Sequence, residues 1–357
     1  MKHNHLSHHR SKSSLALTAS LVLALISPVY AAAIPNPLPD PDGKPADMTQ
    51  PVQVFIMMGQ SNMLNMGKKA SLENAVKKEA KYPYLIDAEG NWTERKDVRY
   101  TQVMQARGKM KLVNNDWLKV DGKIGVEIAF GNIMGEVIDA PVLLLKSAIG
   151  NRSLGWDLLP PGSERFTVDG ATYAGYKDHP TAEILPRPGW KYPGKPVSWY
   201  AGIQYDDDTA NAKKILADLN TYYPDAKAYK IAGFVWWQGD KDRYNAVHAG
   251  RYEKNLVQLI KSLRKDFNAP DAKFVLATLG QTEKGAGENE GMVFNAQMAV
   301  DGETGKYPEF KGNVATVYSH PLSMGSASNA HYGGNAETYM NVGEGLGKAM
   351  VELLVKK

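Results

Sequence analysis

The chain has 357 residues, 43% hydrophobic and 22% charged, an ordinary composition for a protein with a buried core. Its net charge is +4, but three of its cations, Lys2, Arg10 and Lys12, lie in the first 33 residues, which hold no acid, so the rest carries only +1. A near-neutral body offers no broad electrostatic footprint for nucleic acid or an anionic membrane, and zero cysteines exclude disulfides, thiolate metal sites and a cysteine nucleophile.

In chain order, the first segment reads as a targeting leader, residues 1–33. A basic start is followed by a short apolar run, Leu15 to Ile26, and by the small-residue run Ala31-Ala32-Ala33 as a cleavage site. An uncleaved anchor would need about 20 apolar residues, and this run is too short. The reading predicts an exported protein, periplasmic or secreted, with no stable membrane insertion after cleavage. His3, His5, His8 and His9 then leave with the leader, and only His179, His248, His320 and His331 remain for imidazole chemistry. Residues 34–51 carry Pro35, Pro37, Pro39, Pro41, Pro45 and Pro51 and predict an extended linker.

The body, residues 52–357, opens on the apolar run Val52 to Met58, and similar runs recur at Val142–Leu145, Ile231–Trp237, Phe274–Thr278 and Val314–Tyr318. Continuous apolar runs of this length suit strands buried on both faces. Between them lie helical spacings, such as Tyr252, Leu256, Ile260 and Leu263, and near the end Leu346, Met350 and Leu353. Strands alternating with helices predict an α/β fold, a doubly wound parallel sheet covered on both faces. From Trp156 to Tyr200 the pattern breaks: seven prolines and three tryptophans (Trp156, Trp190, Trp199) appear with no periodicity. Its aromatics argue against disorder, and the stretch is expected to be an ordered insertion over one end of the sheet.

Ligands of doubly wound sheets bind at the carboxyl ends of strands, and three predicted strand ends carry chemistry there. Gly59-Gln60-Ser61-Asn62-Met63 follows the first strand and places a serine at a turn, where it is either a nucleophile or a helix cap. Trp237-Gln238-Gly239-Asp240-Lys241-Asp242 follows another, with a side-chain amide donor and two acids. The loop Gly150-Asn151-Arg152-Ser153 follows a third and can present the Gly150 N–H. His331 lies between the last strand run and the last helix, at the same sheet edge, and is the favoured base, with His320 next. Other motif matches are discounted. Ser262-Leu-Arg-Lys265 sits on an ordinary amphipathic helix, and Asp206-Asp207-Asp208 reads as the dipole-favoured first turn of a helix. No Gly-x-Ser-x-Gly elbow occurs.

The Gly59-Gln-Ser-Asn-Met63 block resembles the nucleophile block of SGNH-type hydrolases, in the version of sialate O-acetylesterase domains and carbohydrate esterase family 6. The Trp-Gln-Gly-acid block at 237–240 and Ser147 to Leu154 match in the same order. The resemblance spans roughly Val52 to the C-terminus. It implies a flavodoxin-like three-layer SGNH fold and hydrolysis of acyl esters on a carbohydrate, with no metal or other cofactor. It assigns Ser61 as nucleophile and His331 as base, and forms the oxyanion hole from the Ser61 and Gly150 amides and the Gln238 side chain. The neighbouring Gln60, Asn62, Arg152 and Trp237 are the candidate substrate-binding residues, and an acetylated glycan is the expected partner. Two departures stand out: Ser328 replaces the Asp often found three residues before the base, and Gly-Asn-Arg-Ser replaces Gly-Gly-Thr-Ser. The acid is therefore Asp240 or Asp242, with Asp240 ranked ahead. A carbohydrate-binding protein that has lost catalysis, or an esterase of non-carbohydrate esters, are the alternatives.

Overall fold

A computed structural model describes residues 1, 33–39, 41–106, 108–189, 191 and 197–356. Residues 2–32 of the expected leader, Trp190 and residues 192–196 lie outside the described residues. In chain order the elements are β1 (Val52–Gly59), α1 (Lys69–Glu79), β2 (Glu94–Ala106), β3 (Lys109–Lys119), α2 (Glu127–Val137), β4 (Val142–Ala148), β5 (Phe166–Val168), β6 (Ala171–Tyr173), β7 (Ile184–Leu185), α3 (Ile203–Ala217), α4 (Leu219–Tyr222), β8 (Tyr229–Trp237), α5 (Ala246–Asp266), β9 (Lys273–Ala277), α6 (Glu288–Ala299), β10 (Val314–Val317) and α7 (Ala336–Val355). Seven strands form the main sheet, in the order β10-β9-β8-β1-β4-β2-β3. Every pairing is parallel except the hairpin β2–β3, which puts an antiparallel strand on one edge.

The apolar runs form this sheet because each strand is buried on both faces. Every residue of β1 is buried, and its side chains divide by parity. Phe55 and Met57 join one core with Leu144, Phe130, Ile133, Met340 and Leu346, under α1, α2 and α7. Val54 and Ile56 join the other with Leu143, Leu145, Tyr205, Leu256 and Ile260, under α3 and α5. The expected mostly parallel α/β sheet is therefore present. The hairpin β2–β3 was not anticipated: its sequence is rich in charged and amide residues, and most of β3 is exposed or half-buried, so it lacks the continuous apolar run of a central strand. The glycines of the last helix serve packing. A Cβ on Gly343 would come within 2.5 Å of the Val126 carbonyl oxygen, so this glycine lets α7 lie close against the start of α2.

The proline-rich segment differs from the expected linker. Residues 34–51 hold no helix or strand, yet Ile34 and Leu38 pack on the first core and Met48 on the second, because this proline-rich segment keeps apolar side chains that the body can cover. Within residues 156–200, the strands β5, β6 and β7 form a small separate sheet, and Trp156, Leu159, Ala174 and Ala201 make a third small core with Ile184, Val197 and Trp199 against it.

Two sheet-edge helices begin on asparagine caps. The Asn245 side chain accepts from the amides of Val247 and His248 at the start of α5, and Asn335 accepts from the Thr338 amide at the start of α7. Both caps lie just after loops that carry candidate site residues. Helix α3 is anchored differently, by a wholly buried carboxyl. Asp208 accepts from Ser147 Oγ of β4 at 2.6 Å and from Gln204 Nε2 at 2.7 Å, both on Oδ1, while Oδ2 has no partner among the described residues. The expected reading of Asp206–Asp208 as a dipole-favoured first turn fits Asp206, whereas α3 begins at Ile203 and Asp208, a turn later, is directed into the protein.

Burial raises the Asp208 pKa from 3.8 to about 7, against the opposing hydrogen bonds from Gln204 and Ser147. The folded chain thus keeps this proton over a pH range where the unfolded chain has lost it. The stability this contributes is full below the unfolded value and disappears as pH rises through about 7. Asp208→Asn keeps the shape and an acceptor without the charge. It should raise the unfolding free energy by about 1–3 kcal/mol at pH 8 and change it little at pH 4, read by urea titration at both. Equal effects at the two pH values would contradict this account.

Candidate active site

The loops after β1, β4 and β8 meet at the carboxyl edge of the sheet. β1 ends on Gly59, whose φ is +152°, and a Cβ there would lie 2.4 Å from the Trp237 carbonyl oxygen of β8. Only glycine lets the two strand ends approach this closely. The chain then turns at once: Met63 N donates to Gln60 O and Leu64 N to Ser61 O, making the single tight turn Ser61–Met63. Ser61 is 7% exposed, and its Oγ makes no hydrogen bond with the described residues. Gly150 lies beside it: a Cβ built there would be 3.6 Å from Ser61 Cβ and 4.0 Å from Leu64 Cδ1. Neither the Ser61 nor the Gly150 amide donates a turn or loop hydrogen bond among the described residues, so both are available to an incoming oxygen.

The segment Ser328–Gly334, which carries His331, packs against the Ser61–Met63 turn. Asn62 Nδ2 reaches Tyr332 Oη at 3.4 Å, and Tyr332 stacks on Trp237 with centroids 5.7 Å apart. His331 is half-buried, in a left-handed backbone conformation with φ of +50°. No hydrogen bond joins its ring to Ser61, to Asp240 or to any other described residue. His320 instead bonds the Gly280 carbonyl through Nδ1 at 2.9 Å.

The two candidate acids have different surroundings. Asp240 Oδ1 accepts from Ser328 Oγ at 2.6 Å and from Arg243 Nε at 2.9 Å, which leaves Oδ2 without a partner among the described residues. Ser328 thus brings the Asp240 carboxylate into the segment that holds His331. Asp242 is wholly buried and faces the other way. It accepts from the amides of Leu154 (2.9 Å) and Gly155 (2.8 Å) and from Gln238 Nε2 (2.5 Å), and its nearest imidazole is His248, at 4.0 Å. Burial raises its pKa, and the neighbouring His248 and these hydrogen bonds oppose the rise. It ties loops together and does not touch His331.

The structure separates the other expected site residues. Gln238 is wholly buried, and its Nε2 lies within reach of three acceptors: Asp242 Oδ2, Arg152 O at 2.9 Å and Gln60 Oε1 at 3.1 Å. An amide has two N–H bonds, so Gln238 has none to offer an oxyanion in this arrangement. Gln60 Oε1 also accepts from the Lys241 amide, which makes Gln60 part of the same internal network. Trp237 is fully buried and donates from Nε1 to Thr278 O at 2.9 Å, so it belongs to the core and not to a surface a substrate reaches. Asn62 is likewise buried behind Ser61. Of the four expected substrate-binding residues, Arg152 alone faces an open cavity. Its guanidinium lies over the Trp199 ring, 5.2 Å from the centroid, and 3.4 Å from Asp157.

That cavity, of about 450 Å³, lies against the Gly150 loop. Arg152, Trp156, Trp199, Lys241, Tyr244 and His248 are among its walls, so it sits where residues 156–200 meet the β8–α5 loop. His248 Nε2 bonds the Pro186 carbonyl at 2.9 Å and holds the two walls together. The buried Asp157 fixes the turn by accepting from the Ser153 amide, from Ser153 Oγ and from Trp199 Nε1 at 3.0 Å. Sequence reasoning did not find Asp157, although an acid four residues after Ser153, in a turn before prolines, is a usable signal for a side chain that caps backbone amides. Nothing local marks Tyr252, which closes the network by donating to Gln238 Oε1 at 2.9 Å from helix α5.

Residues 195–352 match the family described as carbohydrate esterase, sialic acid-specific acetylesterase. The matched segment contains Gln238, Asp240, Asp242 and His331, and Ser61 and Gly150 lie before it. Three solved structures are similar. One is a protein from Arabidopsis thaliana, at 17% identity and a TM-score of 0.48, over 84% of this chain and 98% of that one. The second is a carbohydrate acetylesterase from Xanthomonas citri, at 13% and 0.45, over 83% of this chain and 54% of that one. The third is NanS, at 13% and 0.35, over 64% and 68%. No curated protein matches the chain. Through residues 195–352 the chain resembles the sialic acid-specific acetylesterase family of carbohydrate esterases.

Proposed function

We propose that this is an exported serine esterase of the three-layer SGNH type that removes O-acetyl groups from a carbohydrate by an acyl-enzyme route. The observation that carries the reading is the packing around Ser61: a hydroxyl without a hydrogen bond among the described residues just past the end of the central strand, Gly150 beside it and the His331 segment against its turn. Ser61 Oγ attacks the ester carbonyl while His331 takes its proton. The tetrahedral oxyanion rests on the Ser61 and Gly150 amides, the alcohol leaves with the proton from His331, and water then hydrolyses the acyl enzyme. Asp240 serves as the orienting acid through its uncommitted Oδ2, held in place by Ser328 and Arg243. The aromatic and cationic cavity beside Gly150 receives the sugar, and Trp199 and Tyr244 supply rings against which its apolar face can lie. Export rests on the basic, apolar and small-residue pattern of residues 1–33. Among the described residues no helix is long and apolar enough to cross a membrane.

A second reading, a carbohydrate-binding protein without catalysis, draws on one observation, the lack of a hydrogen bond from His331 to Ser61 or Asp240. Catalytic hydrogen bonds are often loose before substrate binds, so the first reading stands ahead. Hydrolysis of 4-nitrophenyl acetate and of acetylated glycans separates them. Ser61→Ala should lower kcat by about 10³-fold or more with unchanged unfolding. A folded Ser61→Ala variant of near wild-type activity would overturn the assignment.

The two acids should separate by readout. Asp240→Asn should cost about 10²–10⁴ in kcat, because an amide cannot hold the imidazole in the tautomer the reaction needs. Asp242→Asn places an amide nitrogen among three donors and should lower the unfolding free energy by about 2–4 kcal/mol. Urea titrations and kcat measured on both variants check this, and a damaging Asp242→Asn with unaltered stability would transfer the acid's role to Asp242.

A further inference from the structure

A second cavity, of about 370 Å³, shares no lining residue with the first. Leu64 and Asn65, which follow the Ser61 turn, form one wall, and the first turn of α2 and the hairpin β2–β3 form the others. Neither cavity is lined by Ser61 itself, but both have walls next to it in the chain: Asn151, which follows Gly150, lines the first, and Leu64, whose amide donates to Ser61 O, lines the second.

The second cavity has a built polar floor. Lys146 and Glu127 form a fully buried ion pair. Asn65 Nδ2 donates to Glu127 Oε1 at 2.6 Å and Lys146 approaches Asn65 Oδ1 at 3.5 Å, so the pair and the amide hold one another rigid. Tyr100 Oη donates to Gln102 Oε1 at 2.9 Å. The same hydroxyl lies 3.3 Å from Asn65 Oδ1, and the Gln102 Nε2 group makes no hydrogen bond with the described residues. Asn114 lies directly across the hairpin from Gln102. The charged groups at the rim cancel: Asp116 and Asp121 face Lys119 and Lys123, and Lys119 pairs with Asp116 at 2.7 Å. A fixed floor of amides and a phenol, with no net charge at the rim and thioether and aliphatic walls at Met66 and Leu64, suits a neutral, hydroxyl-rich ring and not an ion.

We infer that this cavity is a second sugar subsite, and that the ester presented to Ser61 belongs to an oligosaccharide chain that crosses the nucleophile turn. The inference rests on the esterase reading given above. Neither hairpin residue used to test it belongs to the proposed catalytic machinery. Asn114→Trp fills the cavity from its edge, and Gln102→Ala removes the free donor.

The experiment compares kcat/KM on pairs of partially O-acetylated substrates, a hexasaccharide and its methyl monosaccharide, for xylose, glucose and mannose backbones, with 4-nitrophenyl acetate as the small ester. For at least one backbone the wild-type enzyme should favour the hexasaccharide. In both variants KM for that hexasaccharide should rise about tenfold, which is one lost polar contact, while 4-nitrophenyl acetate turnover stays within about twofold. Thermal melts show that each variant is folded, and if Asn114→Trp is not, Gln102→Ala decides alone. Equal kcat/KM for hexasaccharide and monosaccharide on every backbone, or equal losses on the small ester, overturns the subsite. If the wild type hydrolyses none of these esters the esterase reading falls separately. Calorimetric binding of the unacetylated hexasaccharides then decides the subsite, which is supported by binding that Gln102→Ala weakens and overturned by none.

Discussion

The buried side chain of Gln238 is the constraint on which the carboxyl edge of the sheet depends. Its amide nitrogen meets Asp242, Arg152 and Gln60, and its carbonyl oxygen accepts from Tyr252, so one residue joins the loops after β1, β4 and β8 to helix α5. Asp242 extends the tie by accepting from the amides of Leu154 and Gly155, and Gln297 of α6 donates to the Gln238 backbone carbonyl at 2.8 Å. A carboxylate buried this deeply is costly unless it is hydrogen-bonded, and here two backbone amides and a side-chain amide donate to it. The network removes freedom from three loops that would otherwise move independently. Ser61, Gly150 and Asp240 are held in a common frame because none of the loops can shift without breaking a buried hydrogen bond.

The sheet supplies the other half of this frame. β1 lies at its centre, buried on both faces, so the position of Gly59 is determined by two cores at once. The close approach of Gly59 to the Trp237 carbonyl then brings the ends of β1 and β8 within one backbone contact. A rigid strand end holds Ser61 precisely, since turning the chain immediately after the strand leaves only a few backbone torsions between core and hydroxyl. Trp237 and Tyr332, stacked behind the turn, fill the space that looser side chains would leave. Their burial explains why a tryptophan in a functional motif can be structural.

Polar interactions across this edge also divide labour between two neighbouring acids. Asp240 and Asp242 stand two residues apart on one loop, yet a 3-10 turn from Asp242 to Tyr244 directs the second inward and leaves the first beside Ser328. Spacing along the chain gave no means of separating them. What separates them is the direction of the side chain after the strand, together with the identity of the donors already waiting there: backbone amides of the β4 loop for Asp242, a serine and an arginine for Asp240.

The sequence by itself determined the strands of the parallel sheet and the helical stripes beside them, because a strand buried on both faces must be apolar throughout and a packed helix must repeat its apolar face. It also determined which loops would cluster, since parallel connections place successive strand ends at one edge. The hairpin β2–β3 escaped notice, because β3 is a half-exposed edge strand that need not be apolar and β2, though buried at 98–103 between β3 and β4, carries Arg99, Thr101 and Gln102 there. The partners of individual polar groups escaped too. Whether Gln238 faces a substrate or the Arg152 carbonyl, whether Asp208 is solvated or buried, and which acid joins the segment that carries His331 all depend on groups 61 to 88 residues away in the chain. A hydrogen bond is satisfied by whatever donor or acceptor the fold brings within about 3 Å. Local spacing carries no record of that neighbour, so the tertiary structure alone decided it.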